Sequence, residues 1–279
     1  MESLPGDAET VVIDNASEDD SIRQAREARP ATTFICNSSN RGLSAGLNQG
    51  FAATTSPYVL VLNPDITVTA ASVELLERVL DEHGRTGAVG GYVNEKYLPR
   101  PLATPWTVIR ENFGIPASTS NSPDERSECK PGAKRERDSA KYQEGAQPSM
   151  KVGQAAAAAL LVRREAYGAI GGFDERFVPA WYEDVDFCKS LSLAGWEVRF
   201  SREAKFVHEG GYSARALGST AFASAYYRNQ LRYINKHFGS AAGFLVRGSI
   251  IVGMTARMLE APSKSDACWA VISGALGGW

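Results

Sequence analysis

Five carboxylates and one imidazole stand where the pattern of this chain changes character: Asp14, Asp65, the group Glu183, Asp184 and Asp186, and His208. Asp14 follows the apolar run Thr10 to Ile13. Asp65 follows Val59 to Leu62, a run cut off by Asn63 and Pro64 because proline lacks an amide donor and restrains the residue before it. A carboxylate at the end of a strand either caps a turn or holds a cation, and the residue type alone leaves both open. The acidic group at 183–186 gains from the dipole of a helix starting there. It is also flanked by Trp181, Tyr182 and Phe187, whose rings would partly desolvate it and suit it to taking a proton. If a helix begins near Glu183, then Glu183 and Phe187 share a face and Asp184 points elsewhere. His208 ends an apolar stretch as Asp14 and Asp65 do, and reads either as a structural side chain or as a ligand. Asp14 to Asp20 is a poor calcium loop, since Ala16 stands where an oxygen is needed and no glycine makes the sharp turn.

Alternating elements must position these groups. Thr10–Ile13, Thr32–Cys36, Val59–Asp65, Gly87–Tyr92, Ala155–Val162, Glu197–Phe200 and Lys205–His208 read as strands. Ser21–Arg29, a stretch opening at Asn40, Ala70–His83, Glu165–Ile170 and Phe187–Ala194 read as helices. Thr69 is the expected N-cap of Ala70–His83, with Val73, Leu76 and Leu80 inward and Gly84 closing it. In the 40–51 stretch Leu43, Leu47 and Phe51 share a side, and Gly46 and Gly50 would allow close approach to a sheet. A small-residue helix start beside Arg41 can receive a phosphate, or can simply pack. It is not a dinucleotide fingerprint. The alternation predicts an α/β fold around a mainly parallel sheet, with Val59–Asp65 a strand buried on both faces.

The chain is 279 residues long with a formal net charge of -2, which argues against nucleic-acid binding. Its four cysteines form no close pair and fit reduced thiols in the cytoplasm better than a disulfide frame or zinc site. The amino terminus lacks the pattern of a signal peptide, and no window reaches the about 18 uninterrupted apolar residues of a spanning helix. Residues 116–148 are polar and charged and read as a mobile loop. Beyond them, Tyr226, Tyr227, Arg228, Arg232, Tyr233, Lys236 and His237 interleave aromatic and basic residues. Ala241–Leu259, too short and too charged to span, has the pattern of a helix lying in a membrane interface or packed on the main domain.

The motifs Val-Ile-Asp-Asn-Ala-Ser at 12–17, Asn-Arg-Gly-Leu-Ser-Ala-Gly-Leu-Asn at 40–48, Leu-Asn-Pro-Asp at 62–65, Gly-Gly-Phe-Asp-Glu-Arg-Phe at 171–177, Tyr-Glu-Asp-Val-Asp at 182–186 and His208 occur in this order. Together they resemble the GT-A glycosyltransferases of family 2, rhamnosyltransferase-like branch, over roughly residues 10–213. The resemblance implies a GT-A catalytic domain over residues 1–213 and a C-terminal helical, membrane-associated region over 214–279. By the same resemblance, Asp14, Arg41, Gly42, Asn48 and Asn63 would bind the donor, Asp14 through its nucleobase. Asp65 and His208 would hold Mg²⁺ or Mn²⁺ against a diphosphate, Asn63 standing at the first position of the family's metal motif. Asp184 would be the base, aided by Glu183 and supported by Asp186 and Trp181.

The implied activity is inverting, metal-dependent transfer of a sugar, rhamnose being one candidate. It would pass from a dTDP- or UDP-sugar donor to a glycan or polyprenyl-linked acceptor in cell-wall or polysaccharide synthesis, at the inner face of the cell membrane. A divalent cation neutralises a departing diphosphate, and a carboxylate takes the proton of the attacking hydroxyl. The family's usual βα unit ahead of Thr10 is missing from the sequence. A truncated, catalytically impaired nucleotide-sugar-binding paralogue is therefore the alternative expectation.

Overall fold

The computed structural model describes residues 1, 3–6, 8–115, 149–208, 219–261 and 265–279; the expected loop at 116–148 lies outside them. The chain runs β1 (Val11–Asp14), α1 (Ser21–Ala28), β2 (Thr33–Cys36), α2 (Leu43–Ala52), β3 (Tyr58–Leu62), β4 (Ile66–Thr67), α3 (Ala70–Glu82), β5 (Thr86–Tyr92) and α4 (Pro105–Asn112). It continues through β6 (Met150–Val152), β7 (Ala159–Arg163), α5 (Arg164–Ile170), α6 (Glu183–Leu193), β8 (Glu197–Lys205), β9 (Val207–His208), α7 (Ser219–Glu260) and α8 (Ser265–Gly277).

The strands form three hydrogen-bonded groups among the described residues: β1 with β2, a five-stranded sheet in the order β3-β7-β5-β8-β6, and β4 with β9. The sheet is mixed, where the alternation predicts mainly parallel pairing. Among the described residues only β5 with β8 and β1 with β2 are parallel. The reason lies in the strands after the 116–148 segment: β6 pairs antiparallel with β8, and β7 enters antiparallel to both β3 and β5. As a result β3 lies at one edge of its sheet, and of its residues only Val61 is buried, not the whole run as predicted.

Local signals fix the helices. Thr69 Oγ1 accepts the Ser72 N–H at 3.2 Å, the expected N-cap of α3, whose Leu76 and Leu80 are sealed against the sheet. Burying one such leucine contributes roughly 2 kcal/mol. Helix α2 packs on β1 through Gly46, where an added Cβ would touch Ile13 at 3.4 Å. Gly50 has open space, so only the first of the two glycines serves close approach.

Helix α7 bends at Gly239, whose φ of 83° suits glycine. By length and composition Thr220–Glu260 could cross a membrane, beyond what the 241–259 stretch suggests. Yet Tyr233, Ile234, Val246, Ile250 and Met254 are buried in one cluster with Val108 of α4, Val271 of α8 and Phe177 and Tyr182 of the acidic loop. The C-terminal helices therefore share a core with the segment that carries the acids.

Candidate active site

Helix α6 opens on Glu183, and the two residues before it carry unusual backbone. Trp181 and Tyr182 both have φ of 71°, in the left-handed region that non-glycine residues avoid. Such backbone persists only where its surroundings hold it, and clusters at functional sites. Here Asn229 of α7 donates from Nδ2 to the carbonyls of Ala180 and Trp181 at 2.9 and 3.1 Å. Gln230 donates to the Tyr182 hydroxyl at 3.0 Å, and the Trp181 ring meets Phe222 edge-on at 4.2 Å.

The three acids of the first turn have three environments. Glu183 is 5% exposed, and its Oε2 is buried without a hydrogen-bond partner. Burial, then the charge of Asp184, pushes its pKa up to about 8, so it holds a proton at neutral pH. Asp184 is half-buried; its carboxyl is also raised by burial, offset by the Val185 N–H on Oδ1 at 2.8 Å and by the nearby Arg100 charge. Asp186 turns the other way, onto Lys236 at 2.8 Å and His237 at 2.7 Å.

Asp65 lies in the turn between β3 and β4, half-buried. Residue 208 pairs across the ladder with Ile66, so His208 is brought next to the Asp65 turn. Tyr97 links this corner to α6: its phenol pKa is raised by burial, and then by the charges of both Asp65 and Asp184. The two carboxylates, one from each half of the chain, thus lie within electrostatic reach of the same phenol. Tyr97 and Arg100 carry no sequence signal; they sit in an aperiodic stretch, and Arg100 makes a backbone bridge to Gln154.

The predicted donor-side residues lie at the end of β1, around the start of α2 and in the turn after β3. Asp14 is buried at the end of β1, and its Oδ1 accepts the Ser17 N–H at 3.1 Å, so it caps its own turn. Next to it, Asn15 Nδ2 donates to the Gly42 carbonyl at 3.1 Å, and the Leu43 N–H donates to Pro179 O at 2.8 Å. Gly42 has φ of 86° and an added Cβ would sit 3.1 Å from Pro179 O, which gives glycine there a double reason. Arg41 is exposed and reaches Glu175 at 3.7 Å. Asn48 is committed elsewhere: its side chain bonds the backbone of Phe173 twice, Glu175 and the Tyr167 hydroxyl, locking the 171–177 loop. Asn63 is half-buried beside the turn, its N–H donating to Ala158 O at 3.1 Å. No hydrogen bond or ion pair links Asp14 directly to Asp65 or Asp184 among the described residues.

The family described as Glycosyl transferase family 2 matches residues 3–134, which hold Asp14, Arg41 to Asn48, Asn63 and Asp65. The chain carries a family 2 glycosyltransferase domain. Over 259 residues this glycosyltransferase is 26% identical to the N-acetylglucosaminyl-diphospho-decaprenol L-rhamnosyltransferase of Mycobacterium tuberculosis, covering 86% of this chain and 80% of that one. It is similar in structure to GalNAc-T7, solved with UDP, GalNAc and Mn²⁺, at a TM-score of 0.56 and 13% identity. That match covers 82% of the glycosyltransferase and only 41% of GalNAc-T7. It is also similar to the mannosyltransferase PcManGT from Pyrobaculum calidifontis, solved with GDP-Man and Mn²⁺. There the TM-score is 0.52, with 15% identity and coverage of 97% and 71%. At these identities the two structures speak for the fold, which is GT-A, with a central mixed sheet and a long C-terminal helix.

Among the described residues no three His, Cys, Asp or Glu side chains are gathered closely enough to enclose a metal ion. A carboxylate at Asp65 and a histidine across the ladder from its turn are nonetheless donor types that suit Mg²⁺ or Mn²⁺. Mg²⁺ in particular is commonly held by one or two carboxylates together with phosphate oxygens of the substrate.

Proposed function

We propose that this glycosyltransferase moves a sugar, rhamnose being the first candidate, from a nucleoside-diphosphate donor to a lipid-linked glycan with inversion at the anomeric carbon. The action of both the Asp65 and Asp184 charges on Tyr97 supports the reading, since a cation-type donor and a base-type carboxylate are both within electrostatic reach of one phenol. The rhamnosyltransferase relative supports the lipid-linked acceptor, by its decaprenol-linked name. Its likeness over most of the chain favours an enzyme over a binding-only paralogue.

In this reading the acceptor hydroxyl attacks the anomeric carbon as Asp184 takes its proton; the new C–O bond forms while the bond to the diphosphate oxygen breaks. Glu183, buried and protonated, has no charge to repel the base and keeps the pair from becoming a double anion. Arg100 opposes the effect of burial on Asp184 and holds it ready as a carboxylate. Asp65 and His208 would hold a divalent cation, which when bound supplies Lewis-acid neutralisation of the leaving diphosphate. Asn63 and the 40–48 segment line the donor side, with Asp14 shaping the turn that faces the nucleobase. Residues 1–213 carry this chemistry, and 214–279 form a helical appendage that brings the enzyme to the inner face of the cell membrane.

Asp184→Asn tests the reading. Removing a general base should lower kcat by about 10²–10⁴-fold, with donor affinity measured by calorimetry unchanged. Undiminished turnover would reject the assignment of the base.

A further inference from the structure

Along α7, where Lys236 pairs with Asp186, lies a cavity of about 360 Å³ whose wall is rich in cations. Arg176, Arg228, Arg232, Lys236 and Arg247 line it together with Trp279. Asp174 answers Arg176 at 2.6 Å and Lys236 at 2.9 Å, and Asp186 also answers Lys236. The other three cations form no ion pair among the described residues, and only the Asp174 charge favours Arg232. Among the described residues Arg228 bonds the Val178 carbonyl, Arg232 the Arg176 carbonyl and the Asn229 amide oxygen, and Arg247 the Ala275 carbonyl. All three are half-buried, and Arg228 Nε is buried with no hydrogen-bond partner. Clustered guanidinium groups repel one another, and partial burial strips the water that would screen them. At Arg232 the pKa is lowered by burial and then by the charges of Arg228 and Arg176, only partly offset by Asp174.

Such a wall is completed by an anion. Planar guanidinium groups favour phosphate, which accepts two parallel bonds from each fork. The cavity also opens into a second hollow of about 450 Å³ that shares Asn235 and Arg247 and is lined by Phe244. Phe244 is 75% exposed, and Leu276, next to the carbonyl that Arg247 holds, is 69% exposed. A free phosphate would leave those apolar side chains in water; a lipid would cover them.

We propose that the cationic cavity of α7 seats the phosphate of an anionic membrane lipid, with Phe244 and the adjoining hollow against its apolar part. The proposal rests on the lipid-linked acceptor reading for its setting, since an enzyme working on such an acceptor must hold itself at a membrane. It gives the expected membrane association a site and a ligand chemistry.

The full chain is sedimented with phosphatidylcholine vesicles, with and without phosphatidylglycerol. The double variant Arg232→Gln, Arg247→Gln should lose affinity for the phosphatidylglycerol vesicles by about tenfold or more. The charge-matched Arg23→Gln, Arg85→Gln should bind as the parent does. Equal binding by the two double variants would overturn the proposal. A second measurement needs no substitution: phenylglyoxal labelling of Arg232 and Arg247 in the parent chain should be blocked by phosphatidylglycerol vesicles and not by phosphatidylcholine alone. Protection by inorganic phosphate at equal phosphate concentration, with none from the vesicles, assigns the cavity to a free anion and rejects the lipid. Turnover on a water-soluble acceptor is measured alongside. Retained turnover with lost vesicle binding upholds the lipid site, whereas vesicle binding by an Asp184→Asn chain that keeps full turnover leaves this site standing while the catalytic reading falls.

Discussion

His237 Nε2 lies 2.7 Å from Asp186 Oδ1, and both side chains are almost sealed from solvent, at 4% and 3% exposure. Lys236 closes the other oxygen at 2.8 Å and reaches on to Asp174, so α7 is tied to the first turn of α6 and to the 171–177 loop by one polar network. Removing one member of a buried charged network leaves its partners unpaired. Asp186→Asn should therefore cost about 3 kcal/mol, read as a lowered urea midpoint. Turnover per folded molecule should fall much less than in Asp184→Asn, since Asp186 faces away from Asp184.

Glu183 makes the pH dependence of stability predictable in sign. Its folded pKa, about 8, lies above the ordinary 4.5. Its contribution is therefore complete below pH 4.5 and is lost as pH rises through about 8. The thermal midpoint of the parent should drop between pH 6 and pH 9, and Glu183→Gln should flatten that drop. A parallel fall in both proteins would show that Glu183 does not carry a displaced proton.

Metal removal addresses the Asp65 corner. Chelation with EDTA should abolish transfer, and Mn²⁺ or Mg²⁺ should restore it. Asp65→Ala should need a higher metal concentration for half-maximal rate, with an unchanged melting curve. Full activity in the presence of chelator would remove the cation from the reading.

Asn48 separates holding a loop from touching a donor. Its side chain makes four hydrogen bonds, all within 167–175. Asn48→Ala should destabilise the protein by about 2 kcal/mol and speed amide exchange at Phe173. A raised donor KM with undiminished stability would instead make Asn48 a direct donor contact.

Gly42 holds the start of α2 against the loop that leads to the acids. With φ of 86° and Pro179 O 3.1 Å from a built Cβ, Gly42→Ala is strained in both backbone and space. A cost of about 1–2 kcal/mol is expected by denaturation, along with a higher donor KM.

Much of this protein was legible in one dimension because its signals are local. The aliphatic run ending at Pro64, the Thr69 cap and the aromatic-flanked acids of 181–187 each depend on neighbours within a turn or two of the chain. They fixed the α/β class, the element order and the residues that resemble a known family. Pairing direction is a different matter: whether β7 enters parallel or antiparallel depends on how a long connection returns, and no residue within the strand encodes that. The partners of the acids are set in the same way. Tyr97, Arg100, Asn229 and Gln230 lie in stretches without a motif and reach the site only because the sheet and α7 carry them there. The split of Glu183, Asp184 and Asp186 into a protonated acid, a carboxyl opposed by the Arg100 charge and a network anchor also came from folding. Three carboxylates adjacent in sequence have the same intrinsic chemistry, and what separates them is how much water and which charges the tertiary structure leaves beside each one.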